Sequence, residues 1–131
     1  MSINDYIRNI ESIINSFVIV SSVNLNIDIK TTDIAFISGK IEFRNGSVLD
    51  FKEFVENTEA GIEKYKYAYN YRSNSEFFFR YDNAPDPSAK GVSTFPYHKH
   101  IQGGKITDAR QVDLSDVLAE IEEIYMSEIG N

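Results

Sequence analysis

The side chains best suited to chemistry lie in one segment in the second half of the chain. Arg80 and Asp82 end a predicted aromatic strand, and His98, Lys99 and His100 close the proline-containing segment that follows it. These two histidines are the only ones in the chain, which also has no cysteine. Imidazole is therefore the only side chain here that ordinarily exchanges protons near neutral pH. Acid–base chemistry or transition-metal binding is expected in this segment.

Two histidines separated by one residue could cleave RNA. On an extended backbone, His98 and His100 point the same way with their attachment points roughly 6 to 7 Å apart, so they could flank one phosphate. Cleavage without a metal requires a base, an acid and cations for the charge that develops on the phosphate. We predict the two imidazoles as base and acid. Arg80 and Lys99 would supply positive charge, although Lys99 alternates to the other face of a regular strand, and Asp82 would orient one imidazole.

The same atoms support a second hypothesis, a metal site. His98, His100 and Asp82 offer two imidazoles and one carboxylate, which suit zinc, manganese or iron. Such a set would leave coordination positions open for water or substrate. Nothing in the spacing fixes the third ligand, so the sequence leaves the metal and any cofactor open.

A purely structural interpretation uses these residues differently. Arg80 and Asp82 could form an ordinary ion pair, residues 83–85 could form an Asx-type turn, and the two histidines could bind backbone carbonyls in a long loop. Long loops without secondary structure in compact domains are often functional, however. The two histidines beside a loop with three prolines therefore favour a functional role.

Composition limits the class of protein. With 131 residues and 42% hydrophobic content, the chain is long enough for one core and too short for two, so we predict a single domain over residues 1–131. It has no run of about 18 apolar residues and no basic region followed by an apolar one at its start, so neither a membrane span nor a signal peptide is expected. We predict a cytoplasmic protein, and the lack of cysteine agrees with that compartment.

The hydrophobic pattern changes period along the chain. Apolar residues recur every three or four positions near both ends, which predicts helices from Ile3 to Phe17 and from about Leu114 to Ile129. Between them the pattern alternates, as in half-buried strands. Five strands are predicted, at about residues 23–30, 34–43, 48–54, 62–72 and 77–82. The order α-β-β-β-β-β-α predicts an α+β fold, an antiparallel sheet of five to six strands with both helices packed on one face.

Local signals refine these elements. Ser2 and Asp113 are predicted helix N-caps. Asn45-Gly46 predicts a tight two-residue hairpin turn, because this pair accepts positive φ angles. Gly39 marks a position where a β-bulge could occur.

One predicted strand carries a row of tyrosines. Tyr65, Tyr67, Tyr69 and Tyr71 recur every second residue, which places their rings on one face and Lys64 on the other. Such a row could stack on nucleic-acid bases. Aromatic residues also pair across strands, so packing within the sheet is the favoured interpretation.

The acidic residues are unevenly distributed. The net charge is −7, which argues against charge-driven nucleic-acid binding. Six of the 20 acidic residues lie in residues 113–131, which contain no Lys or Arg, and the remaining 14 are balanced by 13 basic residues. The C-terminal helix therefore has an acidic outer face, which is either a solvated surface or a docking face for a basic partner.

Two motifs in the functional segment resemble a known family. Residues 79–85, Phe-Arg-Tyr-Asp-Asn-Ala-Pro, are followed by residues 94–100, Thr-Phe-Pro-Tyr-His-Lys-His. Together they resemble the signature of the TumE family of toxins from bacterial and archaeal toxin–antitoxin modules. The resemblance covers about residues 15–125. Family members often carry a histidine where this chain has Asp86, and another where it has Tyr97.

The resemblance implies a small type II toxin that is encoded beside a helix-turn-helix antitoxin and neutralised by it. Combined with the chemistry above, it predicts action on RNA or a nucleotide through His98, His100, Arg80, Asp82 and Lys99. The alternative is a non-enzymatic module that binds a protein target through the sheet or the acidic C-terminal helix. The edge strands of a small antiparallel sheet also predict a homodimer.

Overall fold

The computed structural model describes residues 1–85, 89–92 and 94–129, so Asp86 lies outside the described residues. Nine elements are described. In chain order they are α1 (Ile3–Ser16), β1 (Val20–Thr31), β2 (Ile34–Phe43), β3 (Val48–Thr58), β4 (Gly61–Arg72), β5 (Phe77–Asp82), β6 (His98–Ile101), β7 (Ile106–Asp108) and α2 (Leu114–Ile129). Across these three ranges, no helix has the length and apolar character needed to cross a membrane.

The seven strands form one antiparallel sheet in chain order, so each inner strand pairs with its neighbours in sequence. The predicted α+β class, with helices at both ends of the chain, is confirmed. The sheet has seven strands instead of five to six, because residues 98–101 and 106–108, which are not among the five predicted strands, form β6 and β7. These strands contain four and three residues, too few for an alternating apolar pattern to stand out.

Both predicted helix caps are confirmed. The Ser2 hydroxyl accepts a hydrogen bond from the Asp5 amide, and the Asp5 carboxylate accepts one from the Ser2 amide. At α2, the carboxylates of Asp113 and Asp116 accept bonds from each other's amides in the same way. These bonds satisfy amides that have no partner inside the first helical turn, and so fix where each helix begins.

Two glycines behave differently from the predictions. The hairpin between β2 and β3 is present, but only Gly46 has a positive φ, and the Phe43 amide bonds to the Ser47 carbonyl, which makes a three-residue loop. At Gly39 the strand register is unbroken, so the predicted bulge is wrong. A Cβ at Gly39 would lie 2.5 Å from Cε1 of Phe51. This glycine therefore makes room for an aromatic ring.

The sheet has a covered face and an open face. Odd-numbered side chains of β2 and β3, and of the second half of β4, pack against the apolar stripes of the helices. This core includes Ile7, Ile10, Ile14, Ile37, Ile41, Leu49, Phe51, Tyr69, Tyr71, Leu118 and Ile121. Because side chains alternate along a strand, the even-numbered residues of these strands project from the opposite, open face.

A β-bulge changes the faces of two residues in β4. The register between β3 and β4 shifts after Phe54. Lys64 consequently lies on the covered face, where its ammonium donates to the Tyr69 hydroxyl, while the Tyr65 ring contacts Phe54 on the open face. The prediction that four tyrosines share one face is therefore wrong for Tyr65, and the other three tyrosines of the row are buried together.

Candidate functional site

The pairing of β5 with β6 brings four of the five predicted site residues together. Asp82 lies opposite His98, and Arg80 lies opposite His100. All four occupy even-numbered positions, so their side chains project from the open face. Residues 83–97 connect these two neighbouring strands.

Two imidazoles and one carboxylate form a compact group. The Nε2 atoms of His98 and His100 lie 3.1 Å apart. His98 Nε2 lies 3.0 Å from Oδ1 of Asp82, and His100 Nε2 lies 3.4 Å from Oδ2. Atoms that can bind a proton or a metal ion thus converge from three residues, which we call the histidine–aspartate cluster.

Burial and hydrogen bonding distinguish the two histidines. The His98 side chain is fully buried, whereas that of His100 is 28% exposed. Nδ1 of His98 lies 2.7 Å from the carbonyl oxygen of Pro96. Because a carbonyl oxygen only accepts hydrogen bonds, this Nδ1 carries a proton. Nε2 of His98 therefore faces the cluster, and in the neutral ring it is the nitrogen without hydrogen.

Arg80 is held against the cluster and remains accessible. Its Nε donates to Oδ2 of Asp82 at 2.9 Å, while the Ala84 amide donates to Oδ1 at 3.1 Å. The Arg80 side chain is 41% exposed. A guanidinium that is anchored by a carboxylate and open to solvent can bind a phosphate. The predicted ion pair is present, but it also forms part of the cluster.

The residue after Asp82 fastens the cluster to the neighbouring strand. The Asn83 side chain accepts a hydrogen bond from the Tyr67 amide and donates one to the Tyr65 carbonyl. It therefore binds β4 directly after the bulge. The Asx-type contact predicted for residues 83–85 is made by Asp82 instead, through its bond with the Ala84 amide.

Lys99 lies on the covered face, away from the other four predicted site residues. Its ammonium donates to Glu120 of α2 at 2.7 Å and lies over the rings of Phe79 and Tyr81. Burial alone would lower the pKa of Lys99, but its hydrogen bonds with Glu120 and Tyr81 outweigh that effect and raise it. In this position Lys99 attaches β6 to α2.

The short distance between the imidazoles limits how the cluster can act. A phosphate flanked by a base and an acid needs a hydrogen bond on each side, and two such bonds alone span more than about 5 Å. The 3.1 Å between the Nε2 atoms leaves no room for that arrangement. The histidines and Asp82 therefore form one group, which is accessible to solvent on the side of His100.

Lysines extend the site across the open face. Lys40, Lys52 and Lys66 are exposed and make no ion pair within the described part of the chain. Lys52 lies opposite Ala68, and Ala68 lies opposite Asp82, so a small side chain separates a free cation from the cluster. Aligning these lysines with the cluster requires the strand register, which the sequence alone does not give.

Aromatic rings lie beside these lysines. Phe54 contacts Phe36 on one side and Tyr65 on the other, with ring centroids 6.3 and 5.4 Å apart. Tyr65 is partly exposed, at 40%. Lys52 and Lys66 line the same shallow depression as Phe36, Phe54, Arg80 and Asp82. Partly exposed rings beside cations are the combination that single-stranded nucleic acids bind.

A seven-stranded sheet that is covered by helices on one face, with a histidine–aspartate–arginine site on the other, defines a small α+β protein with a polar site on an uncovered sheet. The family described as Toxin TumE matches this chain over residues 9–125. The chain therefore belongs to the TumE toxin family, as its two motifs predicted. No match was found among curated proteins or among solved structures.

Proposed function

We propose that this chain is the toxin of a type II toxin–antitoxin module and that it acts on RNA, or on a nucleotide, at the histidine–aspartate cluster. The observation that carries the proposal is the convergence of His98, His100, Asp82 and Arg80 at one end of an open face that bears exposed lysines. Phosphate chemistry requires a fixed cation beside groups that move protons or activate water, and this face supplies both.

RNA is favoured over a free nucleotide by the extent of the open face. Lys40 on β2 and the cluster on β6 are separated by four strand spacings, or about 19 Å at roughly 4.8 Å per spacing. A single nucleotide does not need a surface of that length. An extended strand would place its phosphates near Lys40, Lys52 and Lys66, and its bases near the aromatic rings.

The site residues have distinct roles in this proposal. Arg80 binds the phosphate that reacts, because it is charged, anchored and accessible. His98, His100 and Asp82 act as a unit on the bond that breaks. Lys99 is a positioning residue, which fixes the histidine-bearing strand against α2 through Glu120.

The toxin family implies a cognate antitoxin, and we propose a helix-turn-helix protein encoded next to this chain. A neighbouring reading frame with a helix-turn-helix pattern would support this assignment, and a metabolic operon would count against it. A single domain, a cytoplasmic location and a homodimer formed through an edge strand belong to the same proposal. Purification with the neighbouring protein and sizing of the isolated chain test the partner and the homodimer.

The competing function is a non-enzymatic module that arrests growth by binding a protein. The acidic outer face of α2, which exposes Glu123 and Glu128, is the surface that such a partner would use. This alternative predicts that arrest survives loss of the histidines. It also predicts that charge reversal on α2 abolishes arrest.

The test is induction of the chain alone in a bacterial culture, with growth and total RNA followed together. The variants are His100→Ala, His98→Ala/His100→Ala and, as a matched control, Asp50→Asn on the same face. Asp50 pairs with Arg72 outside the cluster. The accumulation of folded protein is checked for each variant, because His98 is buried.

We expect arrest and RNA fragmentation with the parent and with Asp50→Asn. Folded His100→Ala is expected to lose both effects. Retained arrest in a folded histidine variant would overturn the histidine-dependent mechanism in favour of the interaction module. Arrest with intact RNA would remove RNA as the substrate.

A further inference from the structure

We propose that Asp82, His98 and His100 bind one divalent transition-metal ion. The metal site itself follows from side-chain geometry. The role of this metal site in a reaction rests on the function proposed above. The site would refine that function by supplying a metal-bound water. The site is formed where β5 pairs with β6.

The hydrogen-bonding roles in the cluster favour a cation at its centre. Nδ1 of His98 donates to Pro96, so the neutral ring presents an electron pair at Nε2. That electron pair faces Oδ1 of Asp82 at 3.0 Å and Nε2 of His100 at 3.1 Å. One proton placed on Nε2 can lie along only one of these two directions. A metal ion between the atoms interacts with all three residues at once.

The distances match those between neighbouring ligands of one ion. Metal–nitrogen bonds to histidine are about 2.0–2.1 Å. An ion about 2.1 Å from both Nε2 atoms, which lie 3.1 Å apart, would make an N–metal–N angle of about 95°. The 3.0 Å from His98 Nε2 to Oδ1 of Asp82 corresponds in the same way to an angle of about 90°. These two angles are near the 90° between neighbouring ligands of an octahedral ion.

The groups around the cluster already hold these ligands in place. The Pro96 carbonyl fixes the His98 ring through Nδ1, as carbonyl or carboxylate groups do for most histidine ligands. Arg80 and the Ala84 amide each donate to the Asp82 carboxylate. His100 is partly exposed, so an ion can enter from the open face. Coordination positions on that side remain for water or a phosphate oxygen.

The ligand set indicates the class of metal. Two imidazoles with one carboxylate suit Zn²⁺, Mn²⁺ or Fe²⁺, whereas Ca²⁺ and Mg²⁺ prefer oxygen ligands. If the proposed function holds, a water bound to the ion would release a proton to solvent, and its oxygen would bond to the phosphorus of the RNA. One phosphorus–oxygen ester bond would break, and the departing oxygen would take up a proton from solvent. Arg80 lies beside this position and would bind the same phosphate.

Metal binding can be measured without RNA. Untagged purified protein is titrated with Co²⁺, whose visible absorption reports nitrogen and oxygen ligands, and Zn²⁺ and Mn²⁺ are then added as competitors. We expect one Co²⁺ per chain. His100→Ala and Asp82→Asn are expected to weaken binding by at least about 100-fold, since even partners of metal ligands contribute 10- to 100-fold. Asp50→Asn, a carboxylate change on the same face, is expected to bind as the parent does.

The proposal is overturned if the folded parent binds neither Co²⁺ nor Zn²⁺. It is also overturned if Asp82→Asn binds these ions as tightly as the parent does. If a variant does not fold, the parent still decides the matter, because a bound ion must raise its unfolding temperature as the ion concentration rises. Metal binding without growth arrest keeps the site and removes the proposed function. Histidine-dependent arrest by a protein that binds no metal would remove the metal site and keep the proposed function.

Discussion

Each face of the sheet holds a buried carboxylate, and the two carboxylates have different surroundings. On the covered face, Glu53 is fully buried and accepts hydrogen bonds from the hydroxyls of Tyr6 and Tyr69. On the open face, Asp82 is 4% exposed and faces two imidazoles in addition to Arg80. Tyrosine hydroxyls satisfy Glu53 inside the protein, whereas imidazole, guanidinium and amide nitrogens surround Asp82.

The environment of Glu53 is typical of a structural network. Lys64 donates to the Tyr69 hydroxyl and to the Val112 carbonyl, which links Glu53 to the segment before α2. Burial, and then the charge of Glu53, raise the pKa of Tyr69 well above its ordinary value, and burial lowers the pKa of Lys64. Burial of a carboxylate alone therefore does not identify a site. The two carboxylates are distinguished by their hydrogen-bond partners and by the access of solvent to those partners.

The largest loss of stability is expected on the covered face. Glu53→Ala removes the acceptor of two tyrosine hydroxyls and takes away one of the negative charges near the largely buried Lys64. A cost of about 3 kcal/mol is expected in urea unfolding. Glu53→Gln keeps one acceptor and should cost less. A change below about 1 kcal/mol for Glu53→Ala would contradict the structural role assigned to this network.

On the open face, the largest effect should fall on activity. Asp82→Asn keeps the size of the side chain but removes the charge that faces the histidines. We expect growth arrest to be lost while the free energy of unfolding falls by only about 1 kcal/mol, the scale of one hydrogen bond. Urea unfolding and growth are measured on the same variant. Destabilisation equal to that of Glu53→Ala would remove the distinction between the faces.

Neighbouring residues of β2 provide a matched pair. Gly39→Ala places a Cβ against the Phe51 ring on the covered face and should cost about 1–3 kcal/mol. Ser38→Ala, one residue earlier on the open face, should change stability by less than about 0.5 kcal/mol. Thermal unfolding of both variants checks this. Equal stability of the Gly39→Ala and Ser38→Ala proteins would mean that the Phe51 ring moves aside without strain.

Alkaline pH should weaken the covered face. Burial raises the pKa of Tyr67 to about 12, and burial together with the Glu53 charge raises the pKa of Tyr6 and of Tyr69. Tyrosines with a raised folded-state pKa give stability that is complete below about pH 10 and is lost as pH rises towards the folded-state value, because only the unfolded chain then releases protons.

Each such tyrosine contributes at most about 1.4 kcal/mol per pH unit to that loss. Urea unfolding at several alkaline pH values should therefore show a steeper decline for the parent than for Tyr69→Phe. The control is Tyr65→Phe, which removes a partly exposed hydroxyl on the open face. Identical slopes for the parent and Tyr69→Phe would contradict the buried position of this hydroxyl.

A small effect is expected for Lys99. Lys99→Met removes a partly exposed ion pair with Glu120 and should cost at most about 1 kcal/mol. Arrest should be delayed but not abolished, and Lys99→Arg should restore its timing. Complete loss of arrest in a stable Lys99→Met protein would place this ammonium in the reaction itself.

Much of the fold could be predicted because apolar periodicity reports which face of an element is buried. The helices and five strands follow from that rule, as does the opposite orientation of Lys99 and its neighbours. The bulge that turns Tyr65 outwards could not be read from alternation, since it depends on how β3 pairs with β4. The contact between Asp82 and His98 depends on pairing across a 15-residue connection. The two motifs marked these residues, but their distances required the structure.

The proposed action on RNA at the histidine–aspartate cluster is tested most directly by incubating the purified protein with an end-labelled single-stranded RNA. The parent, Asp82→Asn and Asp50→Asn are compared at equal concentration, each with and without added Mn²⁺ or Zn²⁺. We expect cleavage by the parent and by Asp50→Asn, and cleavage at least about 100-fold slower with Asp82→Asn, a loss of about 2.7 kcal/mol in transition-state stabilisation. Intact RNA with the folded parent, or equal cleavage by Asp82→Asn, would contradict it.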